Sequence, residues 1–173
     1  MAPHILVVGG TGMLSGLVET LAGDAGRLSL LSRHASRAVR PGVTGFDVDY
    51  HDEPAFLAAL DAAGPVDLAV AWFHTLKIAA PRSLAERVDG RLFQVLGSAT
   101  GDPAYPERLA TAAKVAAGLP NCRLRQVVLG FRLEGGRSRW LSDAEISGGV
   151  LEAICADRTL SIVGQVEPWS ARP

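Results

Sequence analysis

Residues 4–16 read HILVVGGTGMLSG, and this stretch narrows the possible folds more than any other. The run from His4 to Val8 suits a buried strand, and Gly9 and Gly10 stop it abruptly. Beyond the glycines, Leu14, Leu17, Val18 and Leu21 recur on one face of a helix. A glycine turn between strand and helix has two physical readings. It reverses the chain and nothing more, or it stays bare so that a phosphate can touch the backbone. Glycine serves the second use because it allows positive φ and carries no Cβ. The helix behind it adds free N–H groups and partial positive charge at its amino end.

The strand–helix alternation continues along the chain. RLSLLSR reads as a second strand, HASRAVRPG as a loop or short helical turn, and GVTGFDVDY as a third strand. DEPAFLAALDAAG is a helix that Asp52 can cap and Gly64 ends. VDLAVAWF is strand four, HTLKIAAPRSLAERVDG a helix interrupted by Pro81, and RLFQVLGS strand five. YPERLATAAKVAAGL is a helix with Pro106 in its first turn, and CRLRQVVLGF is strand six. LSDAEISGGVLEAICAD is a helix capped by Ser142 or Asp143, TLSIVGQ is strand seven, and EPWSARP reads as a tail. Nearly continuous apolar strands alternating with helices predict an α/β fold, a parallel sheet of about seven strands covered on both faces. At 173 residues the expectation is a single doubly wound domain over 1–173, with no separate substrate domain. Ligands then sit beyond the carboxyl ends of the strands, at the topological switch point.

Composition removes several classes of function. The formal net charge of -1 offers no basic excess for nucleic acid. No run of apolar residues is long enough to span a membrane as a helix. MAPHILVVGG has no basic flank ahead of its apolar stretch and reads as a strand rather than a signal peptide. Cys122 and Cys155 lack C-x-x-C spacing and are expected to be buried thiols in a reducing cytoplasm. His4, His34, His51 and His74 are scattered without metal-ligand spacing, so no metal site is expected.

VVGGTGMLSG resembles the cofactor loop of the atypical branch of the short-chain dehydrogenase/reductase superfamily, and the resemblance extends over most of the chain. It implies a Rossmann-type NAD(P)-binding domain with Gly9, Gly10, Thr11, Gly12, Met13 and Leu14 at the cofactor. The third glycine of the pattern falls on Ser15, with Gly16 one place later; Ser is small enough for close helix–strand packing to survive there. NAD-binding members place an acid after strand two to hold the ribose 2′-hydroxyl. Residues 28–40 contain no acid and present Ser32, Arg33 and Arg37 instead. Guanidinium groups suit a 2′-phosphate, so NADP(H) is favoured over NAD(H); a solvated basic loop is the plainer alternative. After strand three, DYHDEPAF resembles the segment whose Asp and following residue flank the adenine, which implies Asp49 and Tyr50. The plainer reading makes Asp49 and Asp52 helix caps.

In the family, strand four ends in Asn-Ala-Gly, a catalytic Ser follows strand five, and Tyr-x-x-x-Lys lies on the next helix. Here AVAWFHTLK lacks the Asn-Ala-Gly, Ser98 takes the Ser place, and Lys114 the Lys place. Ala110 stands where the Tyr belongs. That Tyr is the usual proton donor, a role typically worth about 10²–10⁴-fold. His74 leads the candidates to replace it, because an imidazole shuttles protons near neutral pH. Tyr105 and Lys77 are the others. Each has a structural reading as well: His74 as a hydrogen-bonded loop residue, Tyr105 packed on its loop, Lys77 solvated, Trp72 and Phe73 lining pocket or core. A serine hydrolase built on Ser98 is unsupported, since no G-x-S-x-G surrounds it and no histidine follows His74. The segment after strand six resembles the closing segment of small bacterial members, with the large substrate insertion nearly absent. The pocket is therefore expected to be small, open, or completed by a second subunit. Two functions follow: an NADP(H)-dependent oxidoreductase acting on a small carbonyl or imine, or a non-catalytic NADP(H) sensor similar to NmrA-like regulators.

Overall fold

The computed structural model describes residues 3–173; Met1 and Ala2, at the head of the stretch read as a strand and not a signal peptide, lie outside the described residues. Seven parallel strands form the main sheet in the order β3-β2-β1-β4-β5-β6-β9. They are β1 (His4–Val8), β2 (Arg27–Ser32), β3 (Val43–Asp47), β4 (Val66–Trp72), β5 (Val88–Leu96), β6 (Cys122–Leu129) and β9 (Leu160–Val163). The helices are α1 (Ser15–Asp24), α2 (Glu53–Ala63), α3 (Ala80–Ala85), α4 (Glu107–Ala113) and α5 (Asp143–Ala156). The strand order reverses between β1 and β4, which opens a crevice at their carboxyl ends.

The sheet separates two apolar layers. On one face Val7, Leu30, Val70 and Phe93 pack beneath Leu17 and Val18 of α1 and Val150 of α5. On the other, Leu6, Leu31 and Ala69 pack beneath Phe56 and Leu60 of α2 and Leu84 of α3. Burial on both faces explains why the strands read as continuous apolar runs rather than alternating ones. Asp52 caps α2 by accepting from the Ala55 N–H at 3.1 Å, and Gly64 ends it at φ +78°. Ser142 and Glu145 form a reciprocal capping box on α5.

The structure departs from the sequence reading in four places. The helix expected over residues 74–90 shrinks to α3, because Pro81 sits in its first turn and starts it rather than interrupting it. The segment after β6 holds an antiparallel hairpin, β7 (Phe131–Glu134) with β8 (Arg137–Trp140). Its Phe131 is fully buried, and Arg139 bonds both Glu134 and Glu145, tying the hairpin to α5. The supposed tail is packed: residues 169–171 form a 3-10 turn, and Arg172 donates to Ser98 and stands over the Trp140 ring. Cys122 is buried, and desolvation pushes its thiol pKa up, but Cys155 is exposed on the outer face of α5.

Candidate functional site

A cavity of about 470 Å³ lies at the switch point, walled by the segments that leave β1, β2, β3 and β4. That volume is in the usual range for a small-ligand pocket. Gly9 turns out of β1 at φ +79°, and its N–H donates to the Leu31 carbonyl at 3.0 Å. A Cβ on Gly9 would stand 3.1 Å from the Trp72 carbonyl, while one on Gly12 would meet nothing within 4 Å. Gly12 therefore presents open backbone to the cavity. Thr11 and the half-buried Met13 line it too. Leu14 occupies the N-cap position of α1 and offers no side-chain oxygen, and the first turn has no acid. The amino end of α1 thus carries no competing carboxylate of its own.

Gly10 and Leu14 face the other way. A Cβ on Gly10 would lie 2.6–2.9 Å from Leu30, Val18 and Val7, so this glycine lets α1 approach the sheet. The Leu14 side chain is fully buried in the core. Ser15, in the place of the third glycine, is exposed on the first turn of α1. Gly16 instead meets α5, where Ser147 donates to the Met13 carbonyl at 2.9 Å and steadies the loop.

Beyond β2, Ser32, Arg33 and His34 line the cavity. The nearby Asp47 is engaged by Ser36, whose hydroxyl and N–H donate to it at 2.6 and 2.7 Å. These bonds hold the Asp47 carboxyl below its ordinary pKa and pin the loop that carries Arg33 and Arg37. A second concavity of about 280 Å³ adjoins the first at Thr11 and His34 and contains Arg37 and Arg40. Beyond β3, Asp49 accepts from the His51 backbone N–H and from its ring Nδ1, both at 2.9 Å. The backbone bond, then the ring bond, lower the Asp49 pKa; the charge on Arg33 adds to this. Helix capping falls to Asp52 alone. Tyr50 stands edge-on to Phe73, and its hydroxyl accepts from the His74 N–H at 3.2 Å.

His74 lines the cavity, exposed, with its ring edge-on to Trp72 at 5.5 Å. The other catalytic candidates lie outside the lining. Ser98 follows β5, is 7% exposed, and accepts from Arg172 Nε at 2.9 Å. Tyr105 is largely solvated beneath the Arg108 guanidinium, 4.1 Å from its ring. Lys114 and Ala110 are both on the exposed side of the α4 segment, and Lys77 is exposed. Trp72 links the two regions: it touches the Gly9 position, and its Cη2 is 3.6 Å from where a Gly97 Cβ would be. Sequence reasoning missed His34, His51 and Arg172. The two histidines could have been found, since both lie within four residues of a strand's carboxyl end at the switch point. Arg172 gave no signal, because nothing local says where a chain end folds back.

No family model and no curated protein matches the sequence. Solved structures resemble the fold. A short-chain dehydrogenase from Burkholderia cenocepacia J2315, in complex with NADP, superposes with a TM-score of 0.67 at 17% identity, covering 95% of this chain and 89% of the other. ChuY, an anaerobillin reductase from Escherichia coli O157:H7, gives 0.66 at 17% identity, covering 95% and 97%. BdcA, an E. coli protein in complex with NADPH, gives 0.65 at 16% identity, covering 94% and 93%. The chain has the doubly wound Rossmann-type fold of short-chain dehydrogenases. Among the described residues no helix is long and apolar enough to cross a membrane.

Proposed function

We propose that this chain is an NADP(H)-dependent oxidoreductase of the atypical short-chain dehydrogenase/reductase type, acting on a small carbonyl or imine in the cytoplasm. The observation that carries the reading is the open backbone at Gly12 beside an acid-free, cationic end of β2. A pyrophosphate needs close approach to bare backbone and to a helix amino end, and both converge there. The residues fit the cofactor: Arg33, with Arg37 in the adjoining concavity, for the 2′-phosphate, and Asp49 and Tyr50 for the adenine side. NADP(H) bound there supplies or accepts the hydride. His74 holds the proton that the absent Tyr would hold, and Ser98 orients the substrate. Lys114, outside the cavity lining, is the weakest member of the set carried by the resemblance. Two of the structurally similar proteins are themselves complexes with NADP or NADPH, which supports the choice of cofactor.

Calorimetry with both cofactors tests this reading. NADPH should bind more tightly than NADH, by roughly tenfold or more if Arg33 pairs with the phosphate. Arg33→Ala should weaken NADPH and leave NADH almost unchanged. Equal affinities in the unaltered chain would remove the argument. The second reading, a non-catalytic NADP(H) sensor similar to NmrA-like proteins, is favoured by one feature: Ala110, which carries no ionisable group, stands at the Tyr place.

A further inference from the structure

Arg172 is held by three separate parts of the fold. Its guanidinium carbon lies 5.1 Å from the ring centre of Trp140, at the end of β8, and 5.1 Å from that of Trp169. Its Nε donates to Ser98 Oγ, beyond β5, at 2.9 Å. No carboxylate stands within ion-pair distance of it among the described residues, and among the arginines without such a partner it is the one stacked against two indoles and bonded to Ser98. Only one of its five N–H donors is used by the protein, and the Nη edge is left without an acceptor.

We infer that Arg172 is a docking point for a carboxylate on the substrate. The inference rests on the oxidoreductase reading for the word substrate, though the anion site itself does not need the cofactor. Arg172 is exposed, so its Nη edge is open to a ligand, and the two indoles against the guanidinium restrict its plane, which lowers the ordering cost of a planar fork. The free Nη edge matches the two oxygens of a carboxylate in parallel hydrogen bonds. Ser98 Oγ accepts from Nε, so its own proton points elsewhere and is available to a group on the same ligand. Gly97, next to Ser98, abuts the Trp72 indole, whose other side forms the wall of the cofactor cavity beside His74. A small ligand anchored on Arg172 thus extends along Ser98 toward that wall. An arginine that served only to pin the chain end would need the stacking and the Ser98 bond, but would show no preference for anions.

Trp140 and Trp169 make the site observable, since two of the three tryptophans flank the guanidinium. Pyruvate is the probe, methyl pyruvate its uncharged twin, and sodium chloride the control for ionic strength. Pyruvate should change tryptophan emission saturably, and methyl pyruvate and chloride should not. Arg172→Gln should weaken the pyruvate response by about tenfold or more, with Arg172→Lys in between. A pyruvate response unaltered in Arg172→Gln overturns the proposal, as does its absence in the unaltered chain or an equal response to methyl pyruvate. NADPH calorimetry on the same proteins separates the two ideas. Arg172→Gln should bind NADPH as the unaltered chain does. Failure of NADPH to bind either protein refutes the cofactor reading and leaves the carboxylate site standing.

Discussion

Gly10 and Gly12 stand two places apart in one loop, yet a side chain at each meets opposite surroundings. The Gly10 position is closed by Leu30, Val18 and Val7, and the Gly12 position is open. Gly12→Val should therefore abolish NADPH binding while thermal unfolding stays nearly as before. Gly10→Ala should do the reverse, costing about 1–3 kcal/mol from overpacking between α1 and the sheet. Calorimetry and denaturation of the two variants check the pair. A Gly12→Val protein that binds NADPH normally would reduce the loop to a turn and sink the cofactor reading. The sequence marks both residues as special, because glycine after a strand always asks for a reason. It does not separate them: which glycine faces helix and which faces ligand depends on where α1 docks.

At the level of elements, β1 is tied to its neighbours through a buried polar residue. His4 begins β1; its Nδ1 bonds the Pro65 carbonyl, its Nε2 meets Ser29 Oγ of β2 at 2.8 Å, and Asp67 of β4 accepts from its backbone N–H at 2.7 Å. Burial lowers the His4 pKa below its ordinary value; the Pro65 bond opposes this, and the charge on Arg27 assists it. A depressed histidine pKa means that the unfolded chain takes up its proton first as the pH falls. The contribution of neutral His4 is thus complete above the unfolded pKa of about 6.5 and declines below it, until the folded pKa is passed. The slope from this residue is at most about 1.4 kcal/mol per pH unit. Urea unfolding between pH 5 and 7.5 should show that slope flattened in His4→Gln, and an identical profile would refute the assignment. Most elements are legible in the sequence because both sheet faces are covered, which makes every strand an apolar run. The hairpin β7–β8 is not, since Leu133 and Trp140 are among its exposed residues and its ordering comes from Phe131 and the Arg139 bonds.

For the whole molecule, the choice is between turnover and sensing. An oxidoreductase should pass hydride from NADPH to a small carbonyl or imine, and His74→Ala should cut turnover by about 10²-fold or more with cofactor affinity unchanged. An imine relaxes the demand for an acid, because an iminium accepts hydride without proton donation to oxygen. A sensor should instead change its oligomeric state with NADPH, which light scattering reads. Turnover indifferent to His74→Ala would remove His74 from the reading. Alternation of apolar and amphipathic segments determined the parallel α/β sheet without help from any contact, because a parallel strand must be covered on both faces and its crossover connections are usually helices. The same rule located the cavity, since the loops after β1 to β4 have nowhere else to meet. What only the tertiary structure decided is which side chains share that end of the sheet. Tyr50 accepting from His74 across 24 positions, Trp72 standing between Gly9 and Gly97, and Arg172 returning to Ser98 across 74 positions are long-range pairings. A pairing of that kind leaves no local pattern, because its partners are chosen by how the layers pack and not by their neighbours in the chain.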